Sequence, residues 1–96
     1  MKIDWNQNDG TLCVSLDGRL DTVHAPELES FLRSYTEAFS ALVINCEKLA
    51  YVSSAGLRVL LAAHKQVKGA MKLTNVQELV MEVFDMTGFT DIFAIE

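Results

Sequence analysis

The chain has 96 residues, half of them hydrophobic, with a formal charge of −5. That is enough apolar material for one small core, with little stability to spare. The acidic balance (pI near 4.9) argues against a nucleic acid or an anionic membrane surface as partner, since both favour a basic face.

Residues 2–7 alternate polar and apolar around Ile3 and Trp5, as an edge strand does. Asn8-Asp9-Gly10 is a hairpin turn signal, and Leu12, Val14 and Leu16 then alternate with Cys13 and Ser15 as a second strand. Asp17-Gly18-Arg19-Leu20-Asp21 is expected to break that strand. A helix follows, with Pro26 in its first turn and Leu28, Phe31, Leu32, Tyr35 and Phe39 along one stripe. Ala41 to Asn45 is a short continuous apolar run, the pattern of a central strand covered on both faces.

The segment Leu49-Ala50-Tyr51-Val52-Ser53-Ser54-Ala55-Gly56-Leu57-Arg58 comes next. The reading places a loop over Glu47–Ser54 and a helix from Ala55 to Lys68, whose inward face carries Leu57, Leu60, Leu61, His64 and Val67. Lys68-Gly69 supplies a basic last turn and a C-terminal glycine. Met71-Lys72-Leu73 is a short strand. Val76, Leu79, Val80, Val83 and Phe84 form a third helical stripe ended by Thr87-Gly88, and Phe89, Ile92, Phe93 and Ile95 are a last apolar patch. The order β-β-α-β-α-β-α predicts an α/β fold: a small mixed sheet, made of an N-terminal hairpin plus parallel crossovers, with helices packed against it. Sites in such sheets favour the loops at the carboxyl ends of parallel strands, which is where the two serines fall.

Membrane insertion is not expected, because the longest apolar runs, such as Ala41-Leu42-Val43-Ile44, are far too short to span a bilayer. No signal peptide is visible at Met1-Lys2-Ile3-Asp4-Trp5, and Cys13 and Cys46 read as free thiols without metal-ligand spacing, so a cytoplasmic location is expected. No metal and no cofactor is predicted: glycine-rich phosphate cradles and Cys/His clusters are absent. An enzyme is not expected either. Val52-Ser53-Ser54-Ala55-Gly56 lacks the first glycine of a nucleophile elbow. A serine nucleophile needs a base, yet His64 lies ~15 Å beyond Ser54 along a helix axis, and His24 reads as a cap or surface residue.

Two readings of the serines stay open on residue type. One of them can cap the helix, worth ~1 kcal/mol. But a cap needs a single hydroxyl, and Ala55-Gly56 leaves both uncovered, at a helix-propensity cost of roughly 1 kcal/mol for Gly56. Close approach of a partner or nucleotide would explain that cost.

At this segment the chain resembles the STAS domain family, and within it the bacterial anti-sigma factor antagonists, whose motif is Asp-Ser-Ser/Thr-Gly-Leu at a helix start. Gly56-Leu57 aligns with the Gly-Leu of the motif. Ser54 then falls on the phosphorylated serine, Ser53 where the family often has Asp, and Ala55 where it has a second hydroxyl residue. Gly18-Arg19-Leu20-Asp21 with Ala25-Pro26-Glu27-Leu28, the strand Leu42-Val43-Ile44-Asn45-Cys46, and Phe84-Asp85-Met86-Thr87-Gly88-Phe89 with Ile92-Phe93 resemble three further family segments, in order. The resemblance covers nearly the whole chain and implies a single STAS-like domain over residues 1–96.

The resemblance implies a partner switch. The unphosphorylated protein binds a serine kinase that doubles as an anti-sigma factor, phosphorylation of Ser54 (Ser53 being the less favoured acceptor) releases it, and a serine phosphatase resets the system. It also implies that Asp21 lies near Ser54 and helps position its hydroxyl, and that Asp21, Tyr51, Ser53, Ser54, Gly56, Leu57 and Arg58 form the partner-binding face. The alternative within the family is a non-phosphorylated accessory subunit of a lipid-transport ATPase complex, with Ser54 as a plain cap.

Overall fold

A computed structural model describes all residues 1–96. Its elements are β1 (Lys2–Asn8), β2 (Thr11–Leu20), α1 (Ala25–Ser34), β3 (Ala41–Val52), α2 (Ser54–Gln66), β4 (Met71–Thr74), α3 (Glu78–Thr87), a 3-10 turn at Phe89–Asp91 and β5 (Ala94–Ile95). The sheet order is β1-β2-β3-β4-β5. The β1–β2 pair is antiparallel and the other three pairs are parallel, as the hairpin-plus-crossover reading predicts. Asp9 and Gly10 both have positive φ (49° and 82°), the two-residue turn that matches strand twist.

Leu12, Val14 and Leu16 of β2 and Leu42, Ile44 and Cys46 of β3 are buried together with Leu28 and Leu32 of α1, Leu57 and Leu60 of α2, and Val80 and Phe84 of α3, in one hydrophobic cluster. The alternate residues Cys13, Val43 and Asn45 are only half-buried, and Ser15 is exposed. The helices therefore cover a single face of the sheet, and β3 is not the doubly covered strand that its apolar run suggested. Burial holds the Cys46 thiol up at about 12, so it stays protonated.

Three boundaries differ from the sequence reading. β2 does not break at Asp17: Gly18 takes φ +121° and the ladder to β3 slips its register on either side of Asp17–Gly18, so the strand bends and runs on to Leu20. β3 likewise runs on through Glu47 and Lys48 to Val52, pairing Lys48 with Asp17, Tyr51 with Arg19 and Val52 with Leu20. The predicted Glu47–Ser54 loop is thus mostly strand, and its polar residues lie on a stretch of β3 that β4 is too short to reach. Finally, α1 stops at Ser34. Tyr35 is extended and Phe39 lies outside any helix, yet both keep aromatic contacts: Trp5 of β1 sits edge-on to Tyr35 at 5.1 Å and Tyr35 meets Phe39 edge-on at 5.7 Å. The helical spacing of these rings is met by a loop that wraps the end of the sheet. In α3, Leu79 falls off the buried stripe and is exposed.

Candidate functional site

β2 and β3 end side by side, and each hands over to a helix. The Ser53 N–H donates to the Leu20 carbonyl at 2.9 Å, which ties the two strand ends together. With φ −97° and ψ 175°, Ser53 is the extended residue before α2; its hydroxyl accepts from the Gly56 N–H at 3.1 Å and its carbonyl from the Leu57 N–H at 2.8 Å. That is an N-cap in full. Ser54 is the first residue of α2, is exposed, and its hydroxyl makes no hydrogen bond within the protein. The two serines divide the roles that residue type left open: Ser53 is the cap and Ser54 is not.

Gly56 also has a different reason than a partner's approach. A Cβ at this position would lie 2.5 Å from the Leu20 carbonyl oxygen and 2.9 Å from the Leu20 and Val52 side chains. The close approach is internal: the first turn of α2 presses on the end of β2, and only glycine permits it. Gly56 and Leu57 are both buried, so of the predicted partner-binding residues these two set the position of the helix start and present no side chain to a partner. Tyr51, Ser54 and Arg58 are exposed, and Asp21 and Ser53 are half-buried.

Asp21 begins the turn between β2 and α1. Its carboxylate accepts from the His24 backbone N–H at 2.9 Å and meets His24 Nδ1 at 2.8 Å, with Arg19 Nε at 3.7 Å. The His24 N–H, opposed by partial desolvation and helped by the imidazole, holds the Asp21 carboxyl below its usual range. The expectation that Asp21 positions the Ser54 hydroxyl does not hold, because its carboxylate is turned to His24. His24 occupies the N-cap position of α1 but makes no side-chain cap. His64 lies on α2 with its ring 5.8 Å from Phe93. Neither imidazole is hydrogen-bonded to a serine.

Two exposed neighbours were not singled out by the sequence. The Arg19 guanidinium lies over the Tyr51 ring, 4.3 Å from its centroid, a contact set by their pairing across β2 and β3. Val23 stands at the tip of the adjacent turn, 77% exposed; the sequence signal was a lone apolar residue inside a polar turn. Between the starts of α1 and α2 runs a shallow groove of about 210 Å³, lined by Thr22, Pro26 and Glu29 on one side and Ala55, Arg58 and Ala62 on the other. No helix is long and apolar enough to cross a membrane, and no group of three or more His, Cys, Asp or Glu side chains is gathered as a metal ion would require.

The profile of the STAS domain family matches residues 2–96. The chain belongs to the STAS family. Two relatives extend the match. An anti-sigma-B factor antagonist of Bacillus subtilis is 34% identical over 98 residues, covering 99% of this chain and 90% of its own length. BtrV of Bordetella bronchiseptica, assigned provisionally as an anti-sigma factor antagonist, is 35% identical over 99 residues, covering 99% of this chain and 85% of its own. In structure, the STAS domain described above superposes on the anti-sigma factor antagonist SpoIIAA in its unphosphorylated form with a TM-score of 0.75, at 16% identity and over 99% of this chain and 87% of that one. The phosphorylated form of SpoIIAA from Bacillus gives 0.73 at 17% identity, over 99% and 91%. At these identities the superpositions bear on the fold, and the STAS domain shares that fold from end to end.

Proposed function

We propose that this protein is an anti-sigma factor antagonist that works as a phosphorylation-controlled partner switch at Ser54. One observation carries the reading: at a helix start with two serines, the cap is made by Ser53, and Ser54 is left exposed with an unengaged hydroxyl. The two relatives named as antagonists and the existence of SpoIIAA in a phosphorylated form support it. In this reading the unphosphorylated chain binds a serine kinase that is also an anti-sigma factor, using Tyr51, Ser54, Arg58 and the Asp21–His24 turn. The kinase transfers the γ-phosphoryl group of ATP to Ser54 Oγ, releasing ADP and the hydroxyl proton. A serine phosphatase later hydrolyses the ester with water.

The physical consequences follow from position. A phosphate adds about −1.5 to −2 charge at the positive end of the α2 dipole, which stabilises it by roughly 0.3–2 kcal/mol. The fold therefore survives. A partner surface seated on the same spot would face a desolvated dianion, and a penalty of only ~3 kcal/mol lowers affinity more than a hundredfold. Ser53 in place of the family's frequent Asp keeps the cap, since Ser and Asp cap about equally well. It removes a charge beside the acceptor without disturbing the helix start.

The test is to incubate the chain with the serine kinase and ATP and map the phosphate by mass spectrometry. A single phosphate on Ser54, lost in Ser54→Ala and retained in Ser53→Ala, is the expected result. Full modification of Ser54→Ala, or no modification of the native chain, would sink the assignment.

A further inference from the structure

Arg58 has no assigned task in the switch beyond lying on the partner face. Of the three arginines in the chain, Arg19 pairs with Asp21 at 3.7 Å and Arg33 with Glu29 at 3.6 Å, while Arg58 has no ion pair. It is exposed on α2, four residues beyond Ser54. Residues i and i+4 lie one above the other on a helix face, and helical side chains tilt toward the N-terminus, so a guanidinium at position 58 can reach the turn that Ser54 begins; Arg58 lines the groove together with Ala55 of that turn. An acid placed N-terminal to a base at this spacing is the favourable orientation. α1 and α3 carry Glu27 and Glu78 in their first turns, whereas α2 carries no acid there. Glu29, the carboxylate that lines the groove facing Arg58, is held by Arg33.

From this arrangement we infer that Arg58 is the intrachain partner of a phosphoryl group on Ser54, and that phosphorylation switches the surface by capturing this cation as well as by adding an anion. The inference rests on Ser54 being the acceptor. A guanidinium offers a planar fork of donors that fits two phosphate oxygens, which a point charge does not. Because the Ser53 hydroxyl already serves the Gly56 N–H, the phosphoryl group need not displace the cap to reach Arg58. In the unphosphorylated chain the free guanidinium is available to an acidic group of the partner. In the phosphorylated chain it is occupied, so a partner that used it loses a salt bridge at the moment it gains a repulsion.

The experiment uses the full chain with phosphoserine placed at position 54 by synthesis or codon reassignment, so that it stands apart from whether a kinase labels that site. The second ionisation of the phosphate is followed by phosphorus NMR in the native background and in Arg58→Gln, Arg58→Lys and, as a control, Lys65→Gln, an exposed cation two turns further along α2. Arg19, Asp21 and His24 in the neighbouring turn and Glu29 on α1 are common to all four chains and cancel in the comparison. A captured phosphate is held in its dianionic form, so Arg58→Gln is expected to raise this pKa by about 0.3 unit or more, the equivalent of an i,i+4 pair. Arg58→Lys should fall between, and Lys65→Gln should titrate with the native chain. Coincident titrations of the native and Arg58→Gln chains would overturn the inference, as would an equal shift in Lys65→Gln. A failure of the kinase to label Ser54 would overturn the proposed function instead and leave these titrations as they are.

Discussion

The starts of α1 and α2 lie side by side at the carboxyl ends of two paired parallel strands, and they are finished in opposite ways. At α1 the free backbone N–H groups are met by a resident anion: the Asp21 carboxylate takes the His24 N–H, the Asp21 carbonyl takes the Ala25 N–H at 2.8 Å, and Glu27 adds a second acid in the first turn. At α2 the cap is a neutral hydroxyl, there is no acid in the first turn, and the next charge along the helix is the unpaired guanidinium of Arg58. A helix start attracts negative charge. The first start has its negative charge built in, and the second has none. Under the proposed function, a covalent phosphate at Ser54 would be accepted without refolding, whereas the same phosphate at the start of α1 would meet a carboxylate.

The contrast can be broken or sharpened by substitution. The largest effect on stability is expected from Gly56→Ala, because the added methyl would overlap the Leu20 carbonyl. Set against the gain in helix propensity, a net loss of about 2 kcal/mol in urea unfolding is expected. An unchanged midpoint would mean that α2 does not press on β2 as described. Ser53→Ala removes the cap and should cost about 1 kcal/mol, while Ser54→Ala should change stability by no more than a few tenths. Equal losses in the two variants would erase the division of labour between the serines. The smallest effect concerns acid. The Asp21 carboxyl is held below its usual range in the folded chain, so its contribution is present above the unfolded carboxyl pKa and is lost as pH falls through the folded one. Asp21→Asn should therefore lower stability at neutral pH and flatten the decline below about pH 4. An acid limb that stays parallel to the native one would show that the α1 start does not depend on its resident anion.

Much of this was legible in the sequence. The hairpin turn, the three helices and the parallel crossovers follow from Asp9-Gly10, the apolar stripes and the alternation of elements. The site's location follows from topology, and the motif register on Gly56-Leu57 places Ser54 at the helix start. What the sequence hid was tertiary. Glu47 and Lys48 look like a loop because polarity signals solvent, yet they lie on a strand whose neighbour β4 ends early. Gly18 reads as a breaker but acts as a bend that lets β2 continue. Gly56 looks like an opening for a partner, and the contact it permits is with Leu20, distant in sequence. Which serine caps could not be read from two adjacent hydroxyls, because the choice depends on where β3 ends, a matter of one residue.

The central claim is that charge at Ser54 controls partner binding while charge at Ser53 does not. The most direct measurement is the affinity of the anti-sigma partner, by isothermal titration, for Ser54→Asp and Ser53→Asp side by side, with thermal unfolding of both. The account predicts more than a hundredfold weaker binding for Ser54→Asp at nearly native stability, and binding within a few-fold of native for Ser53→Asp, where aspartate simply replaces serine as the cap. Equal losses in the two variants, or native affinity in Ser54→Asp, would contradict it.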